Sequence, residues 1–462
     1  MEELNKPQKR TPYPYQVQGS EWMERMKRCI NGDCCGTGKS IQTAITLERV
    51  GCTPALIVCP ATLCINWARE IEMATNLRPL ILNDSCKATF PYLMGKMGLY
   101  DVAIVSYNSL RKYFVLKADK PYKLSNIVFM PTINLFKSVV MDEFHKCKSA
   151  DTLQAKLCAG ICHGKEYVFG LTGSPIMNEA TDLISQLAIL GRLSEFGGMR
   201  QFTDRYGEGQ HLEELNKLLT EKCYFRREKK DVLKDLPDLT RSTIVTELPN
   251  REEYDTCCRD LRQYLQEYKQ KTDAQIKRAL RMKSLTTFMQ LRAIATRGKV
   301  QAAISFLEDM PEQCVIFIEY HETADILKKA FPDAGLVTGR QSPKEKQAAI
   351  DDFQAGKIKF IICSIAAAGV GITLTAANHN LFLTLPWNWA LYTQCESRTH
   401  RNGQKLPVTS WVMLGENSID TYLWKLVNDK KSVASRITGE ADDAFANEQY
   451  FEELIEMFLN NQ

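Results

Sequence analysis

Short runs of aliphatic and β-branched residues alternate with helix-like segments in two separate regions of the chain. In the first region these runs predict strands at Pro54–Cys59, Asp101–Ser106, Ser138–Met141 and Tyr167–Leu171. In the second region they predict strands at Cys314–Ile318, Gly335–Val337, Phe360–Ser364, Asn380–Leu385 and Ser410–Leu414. Strands that are apolar on both faces and alternate with helices are typical of parallel sheets covered on both sides. The pattern therefore predicts an α/β fold with two parallel sheets.

The segment between the two regions lacks this alternation from Thr181 to about Leu291 and is predicted to be mostly helical. Towards its end, Tyr268–Lys299 holds nine basic residues and one acidic residue. Such a run indicates either a solvated helix face or a surface that contacts phosphates, and both interpretations remain open at this point. The predicted domains are an α/β domain at 12–180, a helical segment at 181–296, a second α/β domain at 297–436 and a tail at 437–462.

Charge is distributed unevenly along the chain, although the formal net charge is only +4. From Thr438 to Gln462 there are seven acidic residues and no basic one, so the chain before this tail carries +4 + 7 = +11. A basic body with an acidic tail suits a protein that binds a polyanion such as nucleic acid.

Two features indicate an intracellular protein. The N-terminus has no apolar signal core, and the 16 cysteines are scattered, with no Cys-x-x-Cys pair, so reduced thiols are expected. Residues 360–395 contain no Asp, Glu, Lys or Arg, but their polar and glycine breaks favour two buried strands over a membrane span. No membrane association is expected.

The first chemical motif is a glycine-rich turn before a helix-like segment. Such a turn offers backbone N–H groups and the positive end of a helix dipole to phosphates. Lys39 would reach the β- and γ-phosphates, and the Ser40 hydroxyl would hold Mg²⁺. The first position of the usual pattern is Gly, where this chain has Asp33, so a chance glycine-rich turn is the alternative. The candidate ATP-binding residues of the turn are Asp33, Cys34, Cys35, Gly36, Thr37, Gly38, Lys39 and Ser40.

The second motif is Asp142-Glu143 at the end of an apolar strand. Asp142 could hold the metal through its water shell, and Glu143 could orient and deprotonate the attacking water. A solvated acidic pair is the alternative, but it does not fit the end of a buried strand downstream of a phosphate-binding turn.

Two further motifs follow apolar strands. One is Leu171–Pro175, and the other is Gln394–Gln404, which contains Arg398 and Arg401. Arginines three residues apart are expected to share one helix face. They are either surface residues or arginine fingers that reach across a cleft to the γ-phosphate of a nucleotide.

Taken together, these motifs resemble those of the SWI/SNF-like DNA translocases, a branch of the superfamily-two helicases. Further segments resemble that family's other motifs in its order: Pro14–Gly19 (Q motif), Ile57–Leu63 with Asn66 and Trp67 (motif Ia), Val105–Leu110 (motif Ib), Leu171–Asn178 (motif III), Arg226–Pro237 (the arginine-rich brace that joins two lobes), Ser364–Leu374 (motif V) and Pro386–Asn388. The resemblance covers about residues 12–435. Ile365, Thr373 and Thr421–Trp424 lean towards the annealing-helicase branch.

The resemblance implies two RecA-like lobes in tandem with helical insertions between them, and ATP with Mg²⁺ as ligands. It also implies that Gln16 contacts the adenine base and that Gly371 contributes to ATP binding. The candidate catalytic residues are Lys39, Asp142, Glu143, Arg398 and Arg401. The candidate DNA-binding residues are Asn66, Ser106, Tyr107 and Trp387 by resemblance, with Lys277 and Arg281 from the basic stretch.

The implied activity is hydrolysis of ATP to ADP and phosphate, coupled to movement along double-stranded DNA. The alternatives are a strand-separating or annealing helicase and a nonhydrolytic ATP-gated DNA clamp. A monomer is expected, with replication or recombination proteins as candidate partners.

The chain departs from the family pattern at several motif positions, none of which removes a group that handles phosphate, metal or water. These positions are Cys34, Cys35, Thr37, Ser40, Phe144, Ala366 and Ser397.

Overall fold

The computed structural model describes residues 9–120, 122–173, 180–207, 210–270, 274–368, 372–387 and 389–425. These residues form two compact units, of which the first extends to Lys234 and the second begins at Asp235. The predicted helical segment 181–296 is therefore shared between the units, and its end at 296 falls inside a continuous helix. The four-part division inferred from the sequence remains a proposal about the roles of those segments.

The first unit is built on a parallel sheet. Its strands, in chain order, are β1 (Arg28–Asn31), β2 (Ala55–Cys59), β3 (Pro79–Ile81), β4 (Val102–Ser106), β5 (Val115–Ala118), β6 (Ile127–Phe129), β7 (Ser138–Asp142), β8 (Tyr167–Leu171) and β9 (Tyr224–Phe225). Seven of them form one sheet in the order β3-β4-β2-β7-β8-β1-β9, in which every pairing is parallel. Strands β5 and β6 form a separate antiparallel pair.

Helices accompany this sheet along the chain. They are α1 (Pro14–Met26), α2 (Lys39–Val50), α3 (Cys64–Ala74), α4 (Leu110–Phe114), α5 (Leu153–Cys162), α6 (Asp182–Ile189), α7 (Gly198–Tyr206), α8 (Leu212–Lys222) and α9 (Lys229–Val232).

The second unit has a parallel sheet of its own. Its strands are β10 (Leu239–Thr246), β11 (Cys314–Ile318), β12 (Gly335–Val337), β13 (Phe360–Ser364), β14 (His379–Phe382) and β15 (Val408–Gly415), in the sheet order β10-β15-β14-β11-β13-β12. Its helices are α10 (Arg251–Gln270), α11 (Ala274–Glu308), α12 (His321–Ala330), α13 (Pro343–Gln354), α14 (Ile365–Ala368) and α15 (Trp389–Glu396). Residues 419–425 are also helical.

The continuous apolar strands arise because both faces of each sheet are covered. On β11, Val315 and Phe317 belong to one hydrophobic cluster, whereas Cys314, Ile316 and Ile318 belong to another. Successive side chains of a strand point to opposite faces, so each cluster lies on its own side of the sheet. The predicted fold class, two RecA-like parallel-sheet lobes in tandem, is confirmed.

Local sequence fixes several helix ends. The Thr152 hydroxyl accepts from the backbone N–H of Ala155 at the start of α5. Before α13, Ser342 and Glu345 accept each other's backbone N–H groups in a capping box. Helix α2 ends at Gly51, which has a φ of 65° and takes the left-handed conformation that favours glycine.

All nine predicted strands are present, four of them with the predicted bounds: β8, β11, β12 and β13. The prediction of a mostly helical segment from Thr181 to Leu291 was wrong at β9 and β10. Strand β10 is polar, and its residues alternate between half-buried and exposed because it lies at a sheet edge. A pattern of that kind does not resemble the apolar runs of the central strands.

The charge-free segment 360–395 contains β13 and β14, as predicted. Among the described helices, none combines the length and the apolar character that a membrane span requires.

Phe144 departs from the family pattern, and its neighbour on β8 accommodates it. The ring is fully buried, and a Cβ added to Gly170 would lie 2.2 Å from its Cδ1 atom. The large side chain after the acidic pair therefore depends on a glycine in the adjacent strand.

We expect Gly170→Ala to destabilise the first unit by about 1–3 kcal/mol, the usual cost of overpacking a core. In a Phe144→Ala background the same substitution should cost much less, because the ring that it meets is gone. The midpoint of chemical unfolding for the four proteins of this cycle measures the coupling. If Gly170→Ala shifted the midpoint equally in the wild type and in Phe144→Ala, the contact between Gly170 and the Phe144 ring would be contradicted.

Candidate nucleotide site and nucleic-acid interface

The candidate residues of the first unit gather at one edge of its sheet. The glycine-rich turn follows β1, motif Ia begins within β2 and continues beyond it, and motif Ib begins at the end of β4. The acidic pair lies at the end of β7, and Thr172 follows β8. These strands are parallel, so their carboxyl ends meet at the same edge. That edge is where ligands bind in open α/β sheets.

The glycine-rich turn passes through two glycines in the left-handed conformation just before a helix begins. Gly36 and Gly38 have φ values of 86° and 85°, in the left-handed region. Helix α2 begins directly afterwards at Lys39, so the free N–H groups of its first turn face the loop. The ammonium of Lys39 donates to the backbone oxygen of Asp33 at 2.7 Å, and the hydroxyl of Thr37 donates to the backbone oxygen of Cys34 at 2.8 Å.

The carboxylate of Asp33 points into the protein interior. It is fully buried and accepts hydrogen bonds from Arg227, with Nη2 at 2.5 Å from Oδ2 and the backbone N–H at 2.9 Å from Oδ1. Gln42 also donates to it, at 3.0 Å. A buried carboxylate requires such partners, since a lone buried charge costs several kcal/mol. Asp33 thus replaces the usual glycine by joining the loop to Arg227, and only its backbone oxygen contacts Lys39.

The preceding arginine holds the other side of the loop. Arg226 donates to the backbone oxygen of Gly173, to Glu228 at 3.0 Å and to the Sγ of Cys34 at 3.5 Å. The thiol of Cys34 donates to Glu228 at 3.0 Å, and burial raises its pKa to about 12, so it stays protonated at neutral pH. Sequence reasoning missed this clamp of Arg226 and Arg227 on the loop, although the carboxylate in the glycine position signals the need for a cation.

Gln16 lies beneath the same loop. Its side chain is fully buried, its Nε2 donates to the backbone oxygen of Thr37 at 3.2 Å, and its Oε1 accepts from the backbone N–H of Tyr13 at 3.0 Å. The hydroxyl of Tyr15 donates to the same Thr37 oxygen at 2.7 Å, and burial raises the pKa of Tyr15 to about 12. Gln16 therefore supports the loop through its Nε2 and the start of α1 through its Oε1, and its contact with adenine stays a prediction.

Asp142 is the point at which several motifs meet. Its Oδ2 accepts from Nε1 of Trp67 at 2.8 Å, and its Oδ1 accepts from the backbone N–H of Glu143 at 2.9 Å. Its backbone oxygen accepts from the hydroxyl of Tyr107, also at 2.8 Å. Burial, followed by the negative charge of Glu143, raises the pKa of Asp142 to about 7, whereas Trp67 and Lys39 favour the ionised form.

The position of Tyr107 bears on its predicted role in DNA binding. The side chain is 6% exposed, and its hydroxyl is turned towards the acidic pair. The residue is thus placed to support Asp142 from motif Ib, and it offers little surface to a ligand. The other candidates on this edge are more open: Asn66 is half-buried on α3, and the hydroxyl of Ser106 lies 2.9 Å from that of Ser109.

Glu143 occupies a strained backbone conformation, with a φ of 52°. Left-handed conformations are costly for residues other than glycine and often mark functional sites. One carboxylate oxygen of Glu143 lies 3.4 Å from Nδ1 of His145, and that nitrogen lies 3.1 Å from the hydroxyl of Thr172. The acidic pair is therefore linked to the strand end that begins motif III, whereas residues 174–178 of that motif lie outside the described residues.

The residues at this edge suit ATP and Mg²⁺. A Cβ added to Gly173 would lie 3.2 Å from Sγ of Cys35 and 4.0 Å from Nζ of Lys39, so glycine keeps space beside the lysine. The Ser40 hydroxyl in the first turn of α2 and the carboxylate of Asp142 are hard oxygen ligands of the kind that Mg²⁺ prefers. Within the described ranges, no group of three or more His, Cys, Asp or Glu side chains could hold a metal ion.

In the second unit, part of the basic stretch is structural. Lys299 is fully buried and paired with Asp420 at 2.6 Å, and burial lowers its pKa. Arg297 pairs with Glu253. The interpretation of the stretch as either a solvated face or a phosphate-binding surface was therefore wrong for Lys299, whose partner lies inside the fold, whereas Arg297 is exposed and forms a surface ion pair. Arg281 is half-buried, and the side chain of Lys277 lies outside the described residues.

Trp387 stacks on another cation of that stretch. The guanidinium of Arg292 lies 3.6 Å from the centre of a Trp387 ring and donates to Glu319 at 2.9 Å. Arg292 is 1% exposed. One face of the Trp387 ring is therefore packed against the protein, and its contact with DNA stays a prediction. Gly371 lies outside the described residues.

The prediction that Arg398 and Arg401 share one helix face was wrong. Helix α15 ends at Glu396, and both arginines lie in the turns that follow. The hydroxyls of Ser397 and Thr399 donate to backbone oxygens of the last helical turn, and the oxygen of Arg398 accepts from the N–H of Leu374. Such bonds compete with helix continuation. Arg398 is 5% exposed, and Arg401 donates to the backbone oxygen of Ile372.

Comparison with known families gives two matches along the chain. Residues 15–299 match the SNF2-related domain, and residues 298–403 match the helicase conserved C-terminal domain.

Individual relatives cover almost the whole chain. A Caenorhabditis elegans homologue of the SWI/SNF-related matrix-associated actin-dependent regulator of chromatin subfamily A-like protein 1 is 26% identical, over 93% of this chain and 62% of that protein. The human DNA annealing helicase and endonuclease ZRANB3 is 26% identical, over 94% of this chain and 41% of that protein. An uncharacterized ATP-dependent helicase of Mycoplasma pneumoniae is 28% identical, over 96% and 44%. The chain thus spans less than two thirds of the length of these relatives.

Among solved structures, the Sulfolobus solfataricus SWI2/SNF2 ATPase core in complex with dsDNA is similar with a TM-score of 0.43 and 23% identity. The match covers 98% of this chain and 99% of that chain.

The buried ion pair of Arg227 with Asp33 predicts that alanine substitution lowers the free energy of unfolding more at Arg227 than at the adjacent Arg226. Arg227→Ala leaves a buried carboxylate without its cation, which should cost about 3–5 kcal/mol. Arg227→Lys should recover little, because one ammonium cannot reproduce the forked contact. Arg226→Ala is the matched control and should cost less, because its partner Glu228 is half exposed. Chemical unfolding measures these differences, and equal losses for the two alanine variants would contradict the asymmetry.

Proposed function

The chain belongs to the SNF2-related family, as its motifs predict, and we propose that it is a DNA-dependent ATPase that hydrolyses ATP to move along double-stranded DNA. The observation that carries this proposal is the convergence on Asp142. A lysine of a phosphate-binding loop, a tryptophan of motif Ia and a tyrosine of motif Ib all act on that one residue.

The chemistry follows from the groups at the sheet edge. Lys39 and the N–H groups of α2 bind the phosphates of ATP, and Ser40 and Asp142 hold the metal. Bound Mg²⁺ supplies positive charge to the phosphate oxygens. Glu143 orients the attacking water and accepts its proton, while His145 positions the Glu143 carboxylate. Arg398 and Arg401 contribute the positive charge that arginine fingers give to a transferring phosphoryl group.

The proposed link between ATP binding and DNA binding is the pair of aromatic side chains, Trp67 and Tyr107, that donate hydrogen bonds to Asp142. Trp67 is next to Asn66 on α3, and Tyr107 is next to Ser106 and Asn108 at the start of motif Ib. DNA that binds these neighbours would bias the positions of Trp67 and Tyr107, and so the carboxylate that holds the metal. Stimulation of turnover by DNA is then a population shift towards the competent arrangement of Asp142.

Movement along the duplex is favoured over strand opening because cations of the basic stretch, such as Lys277 and Arg281, would contact phosphates. Contacts with the backbone position a protein on DNA without reading or separating its bases. Annealing is the second candidate, since one relative is named a DNA annealing helicase. The annealing-helicase branch is also the one that Ile365, Thr373 and Thr421–Trp424 resemble.

We expect Glu143→Gln to bind ATP with nearly unchanged affinity but to lose about 10²–10⁴-fold in turnover, the usual contribution of a general base. Lys39→Ala is the contrasting variant, and it should lose ATP binding as well. Equilibrium binding of a labelled nucleotide and steady-state phosphate release measure the two effects. If Glu143→Gln turned over ATP at a rate near that of the wild type, Glu143 would not be the general base.

The kind of activity that the protein has on DNA is tested with three DNA substrates in parallel. A translocase should displace a third strand from a triplex in an ATP-dependent and sequence-independent manner, without unwinding a forked duplex processively. Fork unwinding without third-strand displacement would favour a strand-separating helicase. ATP-dependent pairing of complementary strands without displacement would favour annealing, and tight ATP-dependent binding without any of these activities would favour a clamp.

A further inference from the structure

A basic cleft lies at the far end of the same sheet edge. It has a volume of about 500 Å³, and its lining includes the cations Lys87, Arg111, Lys112 and Lys117 together with Asn108 of motif Ib. Apolar side chains of the β5–β6 hairpin form the rest of the lining. The cleft is thus made by the segment after β3, by α4 and by that hairpin.

The order of the strands places this cleft in line with the candidate motifs. Along the edge, the glycine-rich loop follows β1, and the acidic pair, motif Ia and motif Ib lie at β7, β2 and β4. The next and last strand is β3, and Lys87 belongs to the segment that follows it. A chain of phosphates that lies on motifs Ia and Ib therefore meets these cations as it continues along the edge.

The cations are available to a ligand. Lys87 and Arg111 are exposed, and in the described part of the chain neither takes part in an ion pair. Lys112 pairs with Asp84 and Lys117 pairs with Asp119, but all four side chains are largely exposed. Exposed ion pairs contribute little to stability, so exchanging the carboxylate for a phosphate costs little.

From these observations we propose that the cleft binds the phosphate backbone of duplex DNA beyond motif Ib, with Lys87 and Arg111 as its principal contacts. The proposal rests on the proposed function, because it extends the same DNA track. Each phosphate that a cation neutralises contributes about 0.9 to the slope of log affinity against log salt concentration on duplex DNA.

The test compares two variants that remove the same charge. Lys87→Gln/Arg111→Gln should bind duplex DNA more weakly than the wild type, with a salt slope that is smaller by about 2. The control is Arg25→Gln/Lys217→Gln, which also removes one arginine and one lysine from exposed positions on helices α1 and α8 of the first unit. Fluorescence anisotropy of a labelled duplex, and of a labelled single strand in parallel, over a series of salt concentrations gives the slopes. Circular dichroism checks that all proteins are folded.

Each outcome bears on one claim. If the salt slope of duplex binding is smaller in the cleft variant and unchanged in the control, the cleft binds DNA phosphates as proposed. Equal slopes for the cleft variant, the control and the wild type overturn it, while leaving the proposed function intact if the wild type binds duplex DNA. A loss confined to single-stranded DNA overturns the commitment to duplex. Absence of salt-dependent DNA binding by the wild type instead counts against the proposed function itself.

Discussion

The carboxylate of Asp142 stands at the end of a fully buried strand, and it has to be stabilised there if the strand is to end in a metal ligand. Desolvation of a carboxylate costs several kcal/mol, and each hydrogen bond to a charged group returns about 1.5–3 kcal/mol. The N–H groups of Trp67 and Glu143 supply those bonds. Trp67 can donate only if α3 packs closely beside β7, and Tyr107 reaches the same residue only from the turn after β4. The burial of one acid therefore fixes the positions of two candidate DNA-binding motifs.

A second buried carboxylate organises the nucleotide loop in the same way. Asp33 occupies a position where the common loop pattern has glycine, and it joins β1, α2 and the segment after β9 through Arg227 and Gln42. Breaking a pair of this kind by removing one partner is strongly destabilising. The conformation of the loop thus depends on residues that lie almost 200 positions away in the sequence. In the first unit, Asp33 and Asp142 each connect a short sequence motif to residues that are distant in the sequence.

Much of the fold could be predicted because buried parallel strands have a strong sequence pattern. The nine apolar runs are strands. In the first unit, the glycine-rich loop, the acidic pair and the candidate motifs Ia and Ib lie at the carboxyl ends of strands, whereas Gln16 lies on α1. Strand β10 could not be found in this way, since an edge strand exposes alternate residues and is rich in Thr, Ser and Arg. Spacing suggested a helix for Arg398 and Arg401, but side-chain hydroxyls and a tertiary hydrogen bond end α15 first. Whether a cation such as Lys299 is free or buried depends on a partner 121 positions away, Asp420, which spacing does not reveal.

In the proposed mechanism, Trp67 and Tyr107 connect DNA binding to the nucleotide site through Asp142. The most direct measurement is the affinity for duplex DNA with and without a nonhydrolysable ATP analogue, in the wild type and in Trp67→Phe/Tyr107→Phe. Tyr107→Phe removes only the hydroxyl donor, and Trp67→Phe removes the indole N–H donor together with part of a buried ring. Coupling between two ligands is reciprocal and typically amounts to a 5–150-fold change in affinity. If the two donors carry the coupling, the analogue should change the DNA affinity of the wild type by a factor in this range. The double variant should lose most of this change while still binding each ligand alone. An unchanged coupling factor in the double variant would contradict the proposed mechanism.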